Sequence, residues 1–244
     1  MQMKFIDWRS DHEVEEDRLA LTYHANSNHY PQLDVLTRTR MKMLKRLFTQ
    51  MNIETTSAKR YFAAARHPSS DTLRDHPLAA AILERLACLQ REAVPFLDFE
   101  LFREAGGAKL DSPEVYVVSR SRDTGGFELF YCNPFESLLE RVKTVESDRV
   151  SALFDPAYVS QPARGAVFVT ANINRSLKLF GERGYRLSLL EGGRLTERLA
   201  AGMAGTGIAL APTLAFYDER ANELLGLDGF YDVVLSCLII HEEE

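Results

Sequence analysis

The chain contains no run of about eighteen apolar residues, the length a membrane-crossing helix needs, so no membrane span is expected. It has no CxxC pair, and its six histidines form neither HxxxH nor HExxH spacing. The sequence therefore offers no motif for a structural or catalytic metal. The three cysteines, Cys88, Cys132 and Cys237, are far apart and each sits among apolar neighbours. They read as reduced core thiols rather than a disulfide framework. An excess of basic residues is also missing. The formal net charge is -6, which argues against a nucleic-acid surface. The opening segment MQMKFIDWRSDHEVEEDR is too acidic and too poor in apolar residues for a secretory signal, so a cytoplasmic location is expected. There are no internal repeats and no low-complexity linker.

What is present is an ordinary globular composition. The 244 residues are 45% hydrophobic and 26% charged, enough to bury a substantial core. Residues 33–51 place Leu36, Met43, Leu44, Leu47 and Met51 at helical spacing with basic residues between them. In the segment PLAAAILERLACL, Pro77 suits a first helical turn, and Leu78, Ile82, Leu86 and Leu89 make one apolar stripe. EVYVVSRS and FELFYCNP read as two strands joined by a turn with paired glycines. GAVFVTANI and DVVLSCLII read as buried strands. A long helix is expected over about 188–203, and a short one beginning at Asp218 as N-cap and ending at Gly226. The pattern is that of an α+β domain, a few strands between helices.

Three segments carry a resemblance: GGAKLDSPEVYVV with GGFELFYCNPFESLLERV, RSLKLFGERGYRLSLLEGGRLTERL, and GTGIALAPTLAFYDERANELLGLDGFYDVVLSCLII. In order and spacing they are similar to the nitroreductase-fold flavoproteins, and in particular resemble the SagB-type azoline dehydrogenases. RGYR…LLE and LLGLDG are the most specific parts. The resemblance implies a nitroreductase-like fold, with a central antiparallel or mixed sheet flanked by helices. It spans a domain over residues 55–244, preceded by an arm over 1–54. It also implies FMN, a homodimer with the active site across its interface, and a ribosomally made peptide substrate whose azoline rings become azoles. Other biosynthetic enzymes would be partners. No nucleic acid and no membrane are implied.

The family's motifs map onto this chain unevenly. Its phosphate motif aligns with TTSAKRYF, where Thr55 and Thr56 replace an arginine pair while Ser57 and Lys59 are kept. A hydroxyl and an ammonium can hold a phosphate, although the arginine fork is lost. An ordinary polar turn explains the same residues. Gly106 and Gly107 match glycines that let backbone approach a flavin, or make a plain tight turn. The family's proton-handling Lys-Tyr pair aligns with Leu179 and Phe180, neither of which can transfer a proton. Lys178, one place early, and Tyr185 are the remaining catalytic candidates. Arg183 is a candidate for flavin or substrate charge, or else packs the turn together with Tyr185 and Arg186. Leu214 and Ala215 stand where the family has two glycines that turn backbone N–H groups toward the flavin ring. The alternative for these two is the end of a core strand.

Overall fold

A computed structural model describes residues 23–24, 65–68, 75–91, 113–133, 138–159 and 164–242. The helix expected over 33–51 and the arm over 1–54, apart from residues 23–24, lie outside the described residues.

In chain order the elements are β1 (Ala65–Pro68), α1 (Pro77–Arg91), β2 (Pro113–Arg120), β3 (Phe127–Asn133), β4 (Leu138–Val145), α2 (Ser147–Ser151), β5 (Gly165–Asn172), α3 (Ile173–Phe180), α4 (Arg183–Met203), β6 (Ile208–Thr213), α5 (Asp218–Leu225) and β7 (Asp232–Glu242). The strands form one sheet in the order β1-β4-β3-β2-β5-β7-β6. Every pairing is antiparallel. The structure thus bears out an α+β architecture with a helix-flanked sheet.

The period of two along each strand distributes the core to two faces. On β2, Val115 and Val117 join one cluster while Tyr116 and Val118 join the other. The first cluster packs Ile82, Leu83, Leu86 and Leu89 of α1, with Leu199 and Met203 of α4, against Val167, Val169, Leu238 and Ile240. The second packs Val150 of α2 and Ala221, Leu224 and Leu225 of α5 against Leu129, Tyr131 and Phe168. The middle strands are buried on both faces, which is why they read as nearly continuous apolar runs. Cys132 and Cys237 are buried free thiols, and burial pushes both thiol pKa values up.

Helix α4 starts five residues earlier than the sequence pattern indicated, and it buries an unexpected face. Its buried positions include Gly184, Ser188, Gly192 and Thr196, whereas Leu189 and Leu190 are 41% and 49% exposed. The cause is close approach. A Cβ on Gly184 would stand 2.3 Å from the backbone of Ser176 in α3, and one on Gly192 would stand 2.5 Å from Leu235 Cδ1 on β7. Gly192 therefore serves packing within this chain. The two buried hydroxyls stay satisfied. Ser188 donates to the Gly184 carbonyl at 3.1 Å and lies 2.9 Å from the Ser176 hydroxyl. Thr196 donates to the Gly192 carbonyl at 2.8 Å and pairs with Ser236.

Helix α5 ends as expected, with Gly226 left-handed at φ 71°. Its start differs. Tyr217 occupies the N-cap with no side-chain cap bond, and Asp218 is the first helical residue. The Asp218 carboxylate is thereby released from a capping role.

Candidate functional site

Strand β6 pairs with β7 only from Cys237 to Glu242. Beyond Thr213 the chain leaves the sheet, turns, and enters α5. The first half of β7 thus runs past the end of its neighbour. A cleft of about 470 Å³ opens at this place, within the size range of ordinary small-ligand sites.

One wall comes from α4. Tyr185 and Leu189 line it, being four residues apart and so on one helix face. Tyr185 is steadied from behind by the ring of Tyr23, edge-on at 5.1 Å. The next residue, Arg186, is drawn away from the cleft, with Nη2 3.1 Å from both the carbonyl oxygen and Nδ1 of His24. The floor is Ile173 together with Val233, Val234 and Leu235 of β7.

The opposite wall is the connection from α5 to β7. Here one carboxylate oxygen, Asp228 Oδ1, accepts the backbone N–H groups of Phe230, Tyr231 and Asp232 at 2.8, 2.7 and 2.8 Å. Gly229 donates to the Asp232 carbonyl at 3.0 Å, and Ile173 donates to the Tyr231 carbonyl at 2.7 Å. Asn172 donates to the Asp232 carboxylate at 2.7 Å. Held in this way, Phe230 lines the cleft while remaining 73% exposed, and Tyr231 stands edge-to-face with it at 4.8 Å. Asn222 also lines the wall, where its Oδ1 accepts the Val234 N–H at 3.1 Å.

Among the described residues, Asp218 is the one charged side chain lining the cleft, and no basic side chain lines it. Arg220, two residues further on, is committed elsewhere. It donates to the Ala152 carbonyl at 2.6 Å and lies over the Tyr217 ring at 4.5 Å.

Of the described candidate site residues singled out from sequence, Tyr185 is the one that reaches this cleft. Arg183 is half-buried as the first residue of α4 and does not line it. Leu214 points outward, 87% exposed. The Ala215 N–H donates to Thr213 Oγ1 at 3.0 Å, and its carbonyl accepts the Asp155 N–H at 2.9 Å. Lys178 belongs to α3 by its backbone, and its side chain lies outside the described residues, as do Ser57, Lys59, Gly106 and Gly107. Sequence reasoning missed Leu189, Phe230 and Asp228. The available signal was LDGFY, an Asp-Gly turn followed at once by two aromatics.

Among the described residues that line the cleft, none supplies a cation for a flavin phosphate. Among the described residues no group of three or more His, Cys, Asp or Glu side chains could hold a metal.

A second cluster lies on β3 and β4, where α1 begins. His76 Nε2 is 2.9 Å from Glu128 Oε2, and Arg141 is 3.1 Å from Glu128 Oε1. The His76 ring stands edge-on to Phe130 at 4.7 Å, and its buried Nδ1 has no hydrogen-bond partner. Burial lowers the His76 pKa, against the opposing pull of Glu128 and Asp75.

No protein-family model and no curated protein matches the chain. Solved structures do. A protein of Anabaena variabilis assigned as a nitroreductase superposes with a TM-score of 0.65 at 21% identity, over 92% of this chain and 46% of that one. The chain thus spans about half the length of that relative. The Escherichia coli microcin synthetase McbBCD complex, with truncated pro-MccB17 bound, superposes with a TM-score of 0.54 at 15% identity. That match covers 77% of this chain and 71% of the other. The fold is the nitroreductase fold. Among the described residues, no helix is long and apolar enough to cross a membrane.

Proposed function

We propose that the chain acts as an oxidoreductase on a ribosomally made peptide, converting azoline to azole rings with FMN as its cofactor. One observation carries this reading. The two segments most specific to the resemblance, RGYR…LLE and LLGLDG, lie about forty residues apart in sequence and border one cleft, the first through Tyr185 and Leu189 and the second through Gly229, followed at once by Phe230. The superposition on a microcin synthetase complex holding a truncated peptide precursor supports the substrate class and the presence of partner enzymes. In this reading Ser57 and Lys59 hold the flavin phosphate, Gly106 and Gly107 let backbone approach the ring, and Arg183 supplies charge. Leu214 and Ala215 border the ring, and Lys178 or Tyr185 handles the proton. The working unit is a homodimer in the cytoplasm. The test is direct. Purified protein is examined for a flavin absorption band and then given an azoline-containing peptide. Loss of two hydrogens per ring by mass spectrometry is expected, and a flavin-loaded protein that leaves the rings unchanged contradicts the proposal.

A second reading is a subunit that has given up FMN and supports a competent partner. The Ala215 N–H bonded to Thr213, and Leu179 and Phe180 in the proton-handling positions, favour it. Protein that stays colourless after FMN addition and removal of the excess, yet co-purifies with a partner enzyme, would select this reading.

A further inference from the structure

We propose that the cleft is a recognition site for a cationic side chain carried on an apolar segment of the peptide, separate from the site of the flavin phosphate. The inference rests on the peptide-substrate part of the reading above and not on flavin chemistry.

The argument begins with charge. Among the described residues, the Asp218 carboxylate has no hydrogen-bond or ion-pair partner, and no basic side chain lines the cleft. Two cations near the cleft in sequence are engaged elsewhere, Arg186 with His24 and Arg220 with Ala152. The positive end of the α5 dipole lies under Asp218, and Asp218 and Glu219 together offset it. A guanidinium or ammonium entering the cleft would meet a carboxylate with no side-chain partner among the described residues, and an anion would be disfavoured there.

Shape and surface chemistry agree. Phe230 and Tyr185 line the cleft with aromatic rings, and a cation gains quadrupole attraction from such rings. Leu189, Val233 and Leu235 offer apolar surface for the stem of a long basic side chain or for its neighbours. The aromatic wall is built in advance. Three N–H groups on one Asp228 oxygen hold Phe230 in place, so little loop entropy is lost when a ligand docks. An exposed phenylalanine mounted so firmly beside an unpaired carboxylate is a poor arrangement for stability alone. It is a good one for binding a basic amphipathic segment.

The probes are two capped tripeptides, acetyl-Leu-Arg-Phe-amide and its citrulline counterpart, which is nearly the same shape without the charge. Binding to the full chain is followed by protein-observed NMR titration. The arginine peptide is expected to bind about 3- to 5-fold more tightly at low salt, the size of one exposed ion pair with a ring contact. The advantage should shrink as salt is raised. Asp218→Asn, an exposed substitution that leaves packing untouched, should erase the difference, and Phe230→Ala should weaken both peptides. Equal affinity of the two peptides for the unaltered protein, no saturable binding of either, or displacement of the arginine peptide by FMN would each overturn the proposal. Flavin content and azoline oxidation are measured on the same preparation. Arginine preference in a colourless, inactive protein would retain this inference while removing the redox reading, and the converse result would remove this inference alone.

Discussion

Helices α1 and α4 lie on the same face of the sheet and are built on opposite plans. Helix α1 buries its large side chains, Ile82, Leu83, Leu86 and Leu89. Helix α4 buries Leu199 and Met203 near its end, but ahead of them it packs glycine, serine and threonine against α3 and β7 and turns Leu189 and Leu190 outward. The first plan stabilises by area removed from water, about 25 cal/mol per Å² of apolar surface. The second trades that area for closeness, and it leaves apolar side chains free on the outside, where one of them lines the cleft. A leucine on α1 is therefore evidence about stability, while Leu189 and Leu190 on α4 are evidence about what the surface meets.

The contrast can be broken or sharpened by substitution. The largest effect is expected from Leu86→Ala, which empties a filled core position and should cost about 2–5 kcal/mol in denaturant unfolding. Gly184→Ala should follow, at about 1–3 kcal/mol, because the new methyl meets Ser176 backbone that cannot swing aside. A Gly184→Ala protein as stable as the parent would show that α3 and α4 do not need their close contact. The smallest effect is expected from Leu190→Ala, within about 0.5 kcal/mol in stability. If it instead shifts the oligomeric state seen by light scattering, the outward leucines serve an interface.

The His76 cluster should be visible as a pH dependence. His76 titrates lower in the folded chain than its ordinary 6.5, because burial disfavours the imidazolium. Between those two values the unfolded chain binds more protons, so stability should fall as pH drops through 6.5 and level off below the folded value. His76→Gln should flatten that part of the curve, read from denaturation midpoints at several pH values.

Much of the fold was legible. Strands β2, β3, β5 and β7 were visible as apolar runs, the turn between β2 and β3 as paired glycines, and α1 as a stripe opened by proline. Strand β4 was not assigned, because its sequence LLERVKTV alternates poorly and buries Glu140. The start of helix α4 is not legible, since its first turns carry small and polar residues on the buried side and so lack an apolar stripe. The site was less legible than the fold. Tyr185 could be singled out by resemblance, but Asp218 looked like a cap, which local pattern rules favour. Phe230 belongs to the cleft only because β6 stops short of the first half of β7. That is a fact of sheet register between distant segments, and no local window contains it.

The triple acceptance by Asp228 has one more consequence. The side chain that sets the shape of the wall is not among the residues that line the cleft. Mount and cargo are thus separate, and they can change independently. A lineage could replace Phe230 or Tyr231 and change what is recognised while the loop kept its form. The converse change, at Asp228, would blur recognition of every ligand alike. Diversification of this cleft across related chains would accordingly be concentrated at the two positions after the Asp-Gly pair, with the aspartate held fixed.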